Sequence, residues 1–122
     1  MKKPEALLLQ RVCNYLKTKY PYVPYHVDYG ADARMSLSLA KERKNLAGKW
    51  SRGHPDLTIY GPKGKTIFIE LKATKTVVKS DHTQRQKVYH RILRDLGYEC
   101  DFACGYDQAI AMIDKYLKKD IR

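Results

Sequence analysis

Two short apolar runs, residues 57–60 (Leu-Thr-Ile-Tyr) and 66–71 (Thr-Ile-Phe-Ile-Glu-Leu), flank the stretch Gly61-Pro-Lys-Gly-Lys65. Glycine and proline supply turn dihedrals, so the pattern predicts two antiparallel strands joined by a loop. With those residues as the loop, Tyr60 faces Thr66, Ile59 faces Ile67, Thr58 faces Phe68 and Leu57 faces Ile69. The same register sets Asp56 opposite Glu70, and strand alternation puts Lys72 on the face that carries Glu70.

The rest of the chain frames this hairpin. Residues 4–19 predict a helix, with Pro4 in the first turn and Leu9, Val12, Cys13, Leu16 and Tyr20 as an inward stripe. Glu5 lies four residues before Leu9, on that same face. Residues 22–29 alternate, with Val23, Tyr25, Val27 and Tyr29 on one side; Pro24 suits an edge or a strand start. A weaker pattern over residues 38–47 suggests a short helix with Leu39, Leu46 and Ala47 inward, ended by Gly48. Residues 73–80 read as a loop. Thr83-Gln-Arg-Gln86 matches a capping box opening a helix with Val88, Tyr89, Ile92, Leu93 and Leu96 inward and Gly97 as its stop. Gln86 then either caps the backbone or points towards the carboxylates. Residues 98–104 predict a further strand. Asp107 caps a last helix with Ala109, Ile110, Ile113, Tyr116 and Leu117 inward. Mixed elements in this order imply a small sheet with helices on its faces.

Charge gives the hairpin a second meaning. Directly opposed residues have Cβ atoms roughly 4.5–5.5 Å apart, and like charges there repel. Asp56 and Glu70 are such a pair, with the Lys72 amine on the same face. A surface hairpin with scattered charges is one reading. The other is a site for a divalent cation, which removes the repulsion; hard cations such as Mg²⁺ bind through one or two carboxylates and keep waters for phosphate chemistry.

The chain has 24 Lys and Arg against 13 acids, a formal charge of +11, so polyanions are its natural partners and nucleic acid leads among them. Lys41, Arg43, Lys44, Lys49 and Arg52 lead into the hairpin, and Lys75 and Lys79 follow it. They can guide a phosphate backbone towards Asp56, although a solvated charged helix face explains any one of them equally well. Apolar residues make up 43%, which argues against disorder. No apolar run approaches the ~20 residues of a membrane span, and the basic start lacks an export-type apolar stretch, so a cytoplasmic protein is expected. Cys13, Cys100 and Cys104 form no metal-type pair and read as reduced thiols. No phosphate-binding G-x-x-x-x-G-K-[ST] loop occurs.

The residues Gly53-His-Pro-Asp-Leu57, then Phe68-Ile-Glu-Leu-Lys72, then Gln86 opening a helix, then Gly97 before the last core strand, resemble the PD-(D/E)XK nuclease superfamily, and within it the VRR-NUC family, particularly its small stand-alone phage and bacterial members. The resemblance covers most of the chain. It implies an α/β, restriction-endonuclease-like core running αβββαβ, a small mixed sheet flanked by helices, and one nuclease domain over residues 1–122. Asp56 and Glu70 would be metal ligands, helped by the backbone carbonyl of Leu71. Lys72 would orient or activate the attacking water, Gln86 would match the family's glutamine, and Glu5 would be the first-helix acid, a possible further ligand. The resemblance also implies Mg²⁺ or Mn²⁺ as cofactor and DNA as partner, branched DNA such as a Holliday junction among the candidates. A symmetric pair of cuts would call for a homodimer, with Tyr20, Tyr22, Tyr25 and Tyr29 as contact candidates. The rival function is a basic nucleic-acid-binding module without catalysis.

Overall fold

A computed structural model describes residues 3–28, 37–46, 48, 54–75 and 81–118. Its elements run α1 (Lys3–Lys19), β1 (Tyr25–Val27), α2 (Leu37–Leu46), β2 (Leu57–Tyr60), β3 (Thr66–Lys72), α3 (Asp81–Asp95), β4 (Glu99–Cys104) and α4 (Tyr106–Leu117). The succession is the one the hydrophobic pattern predicts.

The strands form one mixed sheet in the order β1-β2-β3-β4. β2 and β3 pair antiparallel as Leu57↔Ile69, Thr58↔Phe68, Ile59↔Ile67 and Tyr60↔Thr66, which is the expected register. A 3-10 turn over Pro62–Gly64 makes the loop, closed by Gly61 N–H donating to the Lys65 carbonyl at 2.7 Å. Lys63 and Gly64 both take positive φ there, 59° and 75°, a conformation that glycine adopts without the Cβ penalty. β4 runs parallel to β3, a pairing that needs a crossover, and α3 supplies it.

The two faces of the sheet differ in chemistry. Leu57, Ile59, Ile67, Ile69, Leu71 and Ala103 point to one face and are fully buried. There they meet Leu8, Leu9, Val12 and Leu16 of α1 and Ala109, Ile113 and Leu117 of α4. Each wholly buried leucine or isoleucine contributes about 1.5–3 kcal/mol by leaving water. Alternation sends Thr58, Phe68, Glu70, Lys72 and Phe102 to the other face, which α3 covers on the β4 side. The core thus anchors one side of the hairpin and leaves its polar residues to the other.

Several local expectations are corrected. β1 is shorter than residues 22–29: Tyr22 lies in a turn and is 95% exposed, and Tyr29 falls outside the described residues. Tyr20 is buried, its hydroxyl donating to Asp114 at 2.6 Å beside that of Tyr15 at 2.7 Å, so it ties α1 to α4 and is withdrawn from any exposed contact surface. Leu46 of α2, expected inward, is 81% exposed; the side chain of Leu39 and residue Ala47 lie outside the description. α3 begins at Asp81, so Thr83 and Gln86 lie inside it and Thr83 is not its N-cap. Its inward face is Thr83, Gln86, His90 and Leu93, while Val88, roughly 200° round the helix from Gln86, is exposed, as is Leu96 beyond the helix end. Gly97 does stop the helix, with φ 100°. The cap of α4 is Gly105 with no side-chain bond, and Asp107 sits within the first turn. Cys13, Cys100 and Cys104 are free thiols, as expected.

Candidate active site

The hairpin end gathers the acids. Glu70, central in β3, is 2% exposed, and Asp56 lies one residue before β2. One Asp56 carboxylate oxygen accepts the Leu71 N–H at 3.0 Å, which draws it against β3 beside Glu70. Burial first, and then a hydrogen bond and repulsion from Asp56, push the Glu70 carboxyl up to about 11; Lys72 opposes the rise and Glu5 adds to it. Without a cation Glu70 therefore carries a proton at neutral pH. Its Oε1 is buried and has no hydrogen-bond partner among the described residues. Two adjacent carboxyl groups, one oxygen of which is left unpaired, are what the opposed register implies.

Leu71 contributes its backbone. Its N–H points across the hairpin to Asp56. The N–H and C=O of one strand residue lie on the same side, so its carbonyl points that way too, beyond the last ladder pair of β2 and β3. The neighbouring Lys72 carbonyl faces the opposite way and accepts the Gly105 N–H at 2.9 Å.

The Lys72 ammonium donates to Gln86 Oε1 at 2.9 Å and lies 5.8 Å from the centre of the Phe102 ring. Gln86 is 3% exposed, so it takes the second of its two sequence roles, pointing into the site. Glu5, half-buried in the first turn of α1, comes near enough to raise Glu70 electrostatically, although no bond joins them. Among the described residues no three His, Cys, Asp or Glu side chains converge as a ready ligand set.

Of the basic candidates, Lys41 and Lys75 are exposed. Arg43 and Lys44 belong to α2, with side chains outside the description; Lys49, Arg52 and Lys79 lie outside the described residues.

Two residues near the site, His54 and His90, escaped sequence reasoning. His54, two positions before Asp56, packs edge-on against Phe68 and Tyr89 and pairs with Asp28. His90 is fully buried one turn after Gln86, its ring 4.5 Å from that of Phe102. Among the described residues both His90 nitrogens lack a partner, and burial, with Arg94 nearby, lowers its pKa to about 4. The i, i+3, i+7 spacing of Thr83, Gln86 and His90 was the available signal for a polar inward face, but their polarity disguised it as a solvent face.

A mixed four-stranded sheet with helices on both faces defines an α/β fold, with Asp56, Glu70 and Lys72 gathered at the end of its central hairpin. Solved structures share the architecture. One titled "VRR_NUC domain protein" is 23% identical, with a TM-score of 0.64 over 97% of this chain and 91% of that one. Another, titled "VRR_NUC domain", is 20% identical, with a TM-score of 0.57 over 94% of this chain and 99% of the other. The fold is therefore that of VRR_NUC domain structures, the family whose motifs the sequence resembles. No family model and no curated protein matches the chain.

Proposed function

We propose that this protein is a metal-dependent DNA endonuclease hydrolysing phosphodiester bonds, with Asp56, Glu70 and the Leu71 carbonyl as metal ligands. The observation that carries the reading is Glu70: a carboxyl buried beside Asp56, its pKa raised by burial and by that neighbour, with Oε1 left without a hydrogen-bond partner among the described residues. Burying such a group is costly, and a hard divalent cation, Mg²⁺ or Mn²⁺, relieves that cost by taking the place of the proton. Two carboxyl groups and a carbonyl are oxygen donors, the set such a cation prefers. When bound, the cation neutralises phosphate charge and makes water more acidic.

The chain's own groups do the rest. Lys72 sets a positive charge where the phosphate and the attacking water meet, and Gln86 fixes that ammonium through Oε1. Glu5 adds negative charge at the rim and is a possible further ligand. Lys41, Arg43, Lys44, Lys49, Arg52, Lys75 and Lys79 hold the DNA backbone, a mode of binding that weakens steeply with salt. Sequence sets no preference among these phosphate contacts, so selectivity rests on the shape of the DNA, branched substrates such as four-way junctions above all. Two copies related by a two-fold axis would cut the two strands symmetrically. Of the four tyrosine candidates, Tyr22 is exposed and Tyr25 half-buried among the described residues. Among the described residues no helix is long and apolar enough to cross a membrane, and the DNA substrate fits a cytoplasmic site in a bacterial or phage-infected cell.

Labelled single-stranded, duplex, flap and four-way-junction DNA, each with Mg²⁺, Mn²⁺ or EDTA, tests the whole reading. Cleavage with either cation and none with EDTA is expected. Salt-sensitive binding without cleavage in any lane would leave a basic binding module instead.

A further inference from the structure

Asp56 can serve only if its backbone is held, because it lies outside the β2 ladder, in the bend that follows His54 and Pro55. Three contacts meet on that bend. The Asp28 N–H donates to the Asp56 carbonyl at 2.9 Å. His54 Nδ1 lies 2.9 Å from the Pro55 carbonyl. The Asp28 carboxylate stands 3.5 Å from that same nitrogen. A carbonyl only accepts, so Nδ1 bears the proton and donates it. The ring cannot swing away freely, since it is wedged edge-to-face between Phe68 at 5.8 Å and Tyr89 at 5.7 Å. Pro55, fully buried and restricted at φ, completes the clamp.

We infer that His54, oriented by Asp28, is the positioning residue of the site: its Nδ1–H holds the Pro55 carbonyl and so delivers the Asp56 carboxylate to the Leu71 N–H and to Glu70. It acts through that one nitrogen and touches no substrate. The loop from β1 and the approach to β2 are thereby locked together at the point where the acid leaves the sheet. Only the role of Asp56 as a ligand rests on the nuclease reading; the clamp itself does not.

The test reads the bond that Asp56 makes to the Leu71 N–H in metal-free protein, by amide hydrogen exchange under NMR. It compares the wild type with His54→Asn, His54→Gln, His54→Ala and Asp28→Ala. The asparagine amide nitrogen falls near the place of Nδ1, and the glutamine amide nitrogen near that of Nε2. Leu71 protection is expected to survive in His54→Asn. In His54→Gln and His54→Ala it should fall about tenfold or more, while Ile69, in the same hairpin ladder, stays unchanged. Asp28→Ala should shift it in the same direction by less. Calorimetric Mn²⁺ affinity should fall in step with Leu71 protection. Preservation by glutamine but not asparagine would overturn the inference, because the working nitrogen would be Nε2. So would equal Leu71 exchange in every variant, or a parallel loss at Leu71 and Ile69, which would mean general loosening. Should the alanine variant not fold, the asparagine and glutamine pair decides. Because the exchange arm uses neither metal nor DNA, it stands even if no cleavage is ever seen.

Discussion

Glu70→Gln should make the metal-free protein more stable. In the folded chain the Glu70 carboxyl is pushed up to about 11 from an ordinary value of 4.5, chiefly by burial and then by Asp56. At pH 7 the unfolded chain carries it ionised, so folding must take up one proton. The cost depends only on the gap between pH and the unfolded value, about 2.5 units, once the folded value exceeds pH 7. At about 1.4 kcal/mol per unit, that is about 3.5 kcal/mol. Glutamine has the same shape, donates its amide to Asp56 and takes up no proton. For a chain of this size the gain corresponds to a rise in Tm of roughly 10 °C.

The sign follows from the raised value. The favourable contribution of a neutral Glu70 is fully present below its unfolded value and is lost as pH rises towards its folded one. The advantage of Glu70→Gln should therefore vanish near pH 4.5 and widen by about 1.4 kcal/mol per unit above it. Thermal melts of both proteins in EDTA at several pH values measure this directly. A wild type as stable as the variant at pH 7, or a difference that ignores pH, would refute the account of the buried carboxyl. Adding Mn²⁺ should then raise the wild-type Tm more than that of the variant.

Asp56→Ala and Glu70→Ala should each abolish cation-dependent cleavage and leave DNA binding by gel shift intact, since lysine and arginine carry the affinity; wild-type rates in either would remove the metal site. Lys72→Ala should lower kcat more than it raises KM, with Gln86→Ala a weaker version of the same defect through the lost 2.9 Å bond; equal losses in Gln86→Ala and Asp56→Ala would give Gln86 a more direct role. His90, lowered to about 4 from 6.5, is neutral when folded, so the unfolded chain gains a proton first and stability should fall by up to about 3 kcal/mol as pH drops between those values. That fall opposes the trend from Glu70, so it is best read by comparing Glu70→Gln with and without His90→Leu, which should flatten it. Sedimentation at micromolar protein should give a two-chain mass, and a one-chain mass would refute the dimer.

The hairpin register was legible in the sequence because a loop of defined length between two alternating runs permits one pairing that buries Leu57, Ile59, Ile67 and Ile69 together. That register alone brought Asp56, Glu70 and Lys72 to one end of the sheet. The α1 stripe was equally readable, since Leu9, Val12 and Leu16 obey the helical period and all three are buried. Where burial falls on polar residues the pattern is silent. His90 looks like a solvent position by type, Gln86 left two roles open, and only packing of α3 against the polar face of the sheet turns both inward. Tyr20 looked free for a partner until α4 brought Asp114 to its hydroxyl.

Local sequence, then, determined the elements, their order and the facing of Asp56 and Glu70, because strand alternation and turn length are properties of neighbouring residues. Tertiary structure alone decided the proton on Glu70, since a carboxyl keeps it only when other elements exclude water from it. It also decided the partnership of Asp28 with His54, residues far apart in the chain that meet because β1 pairs with β2.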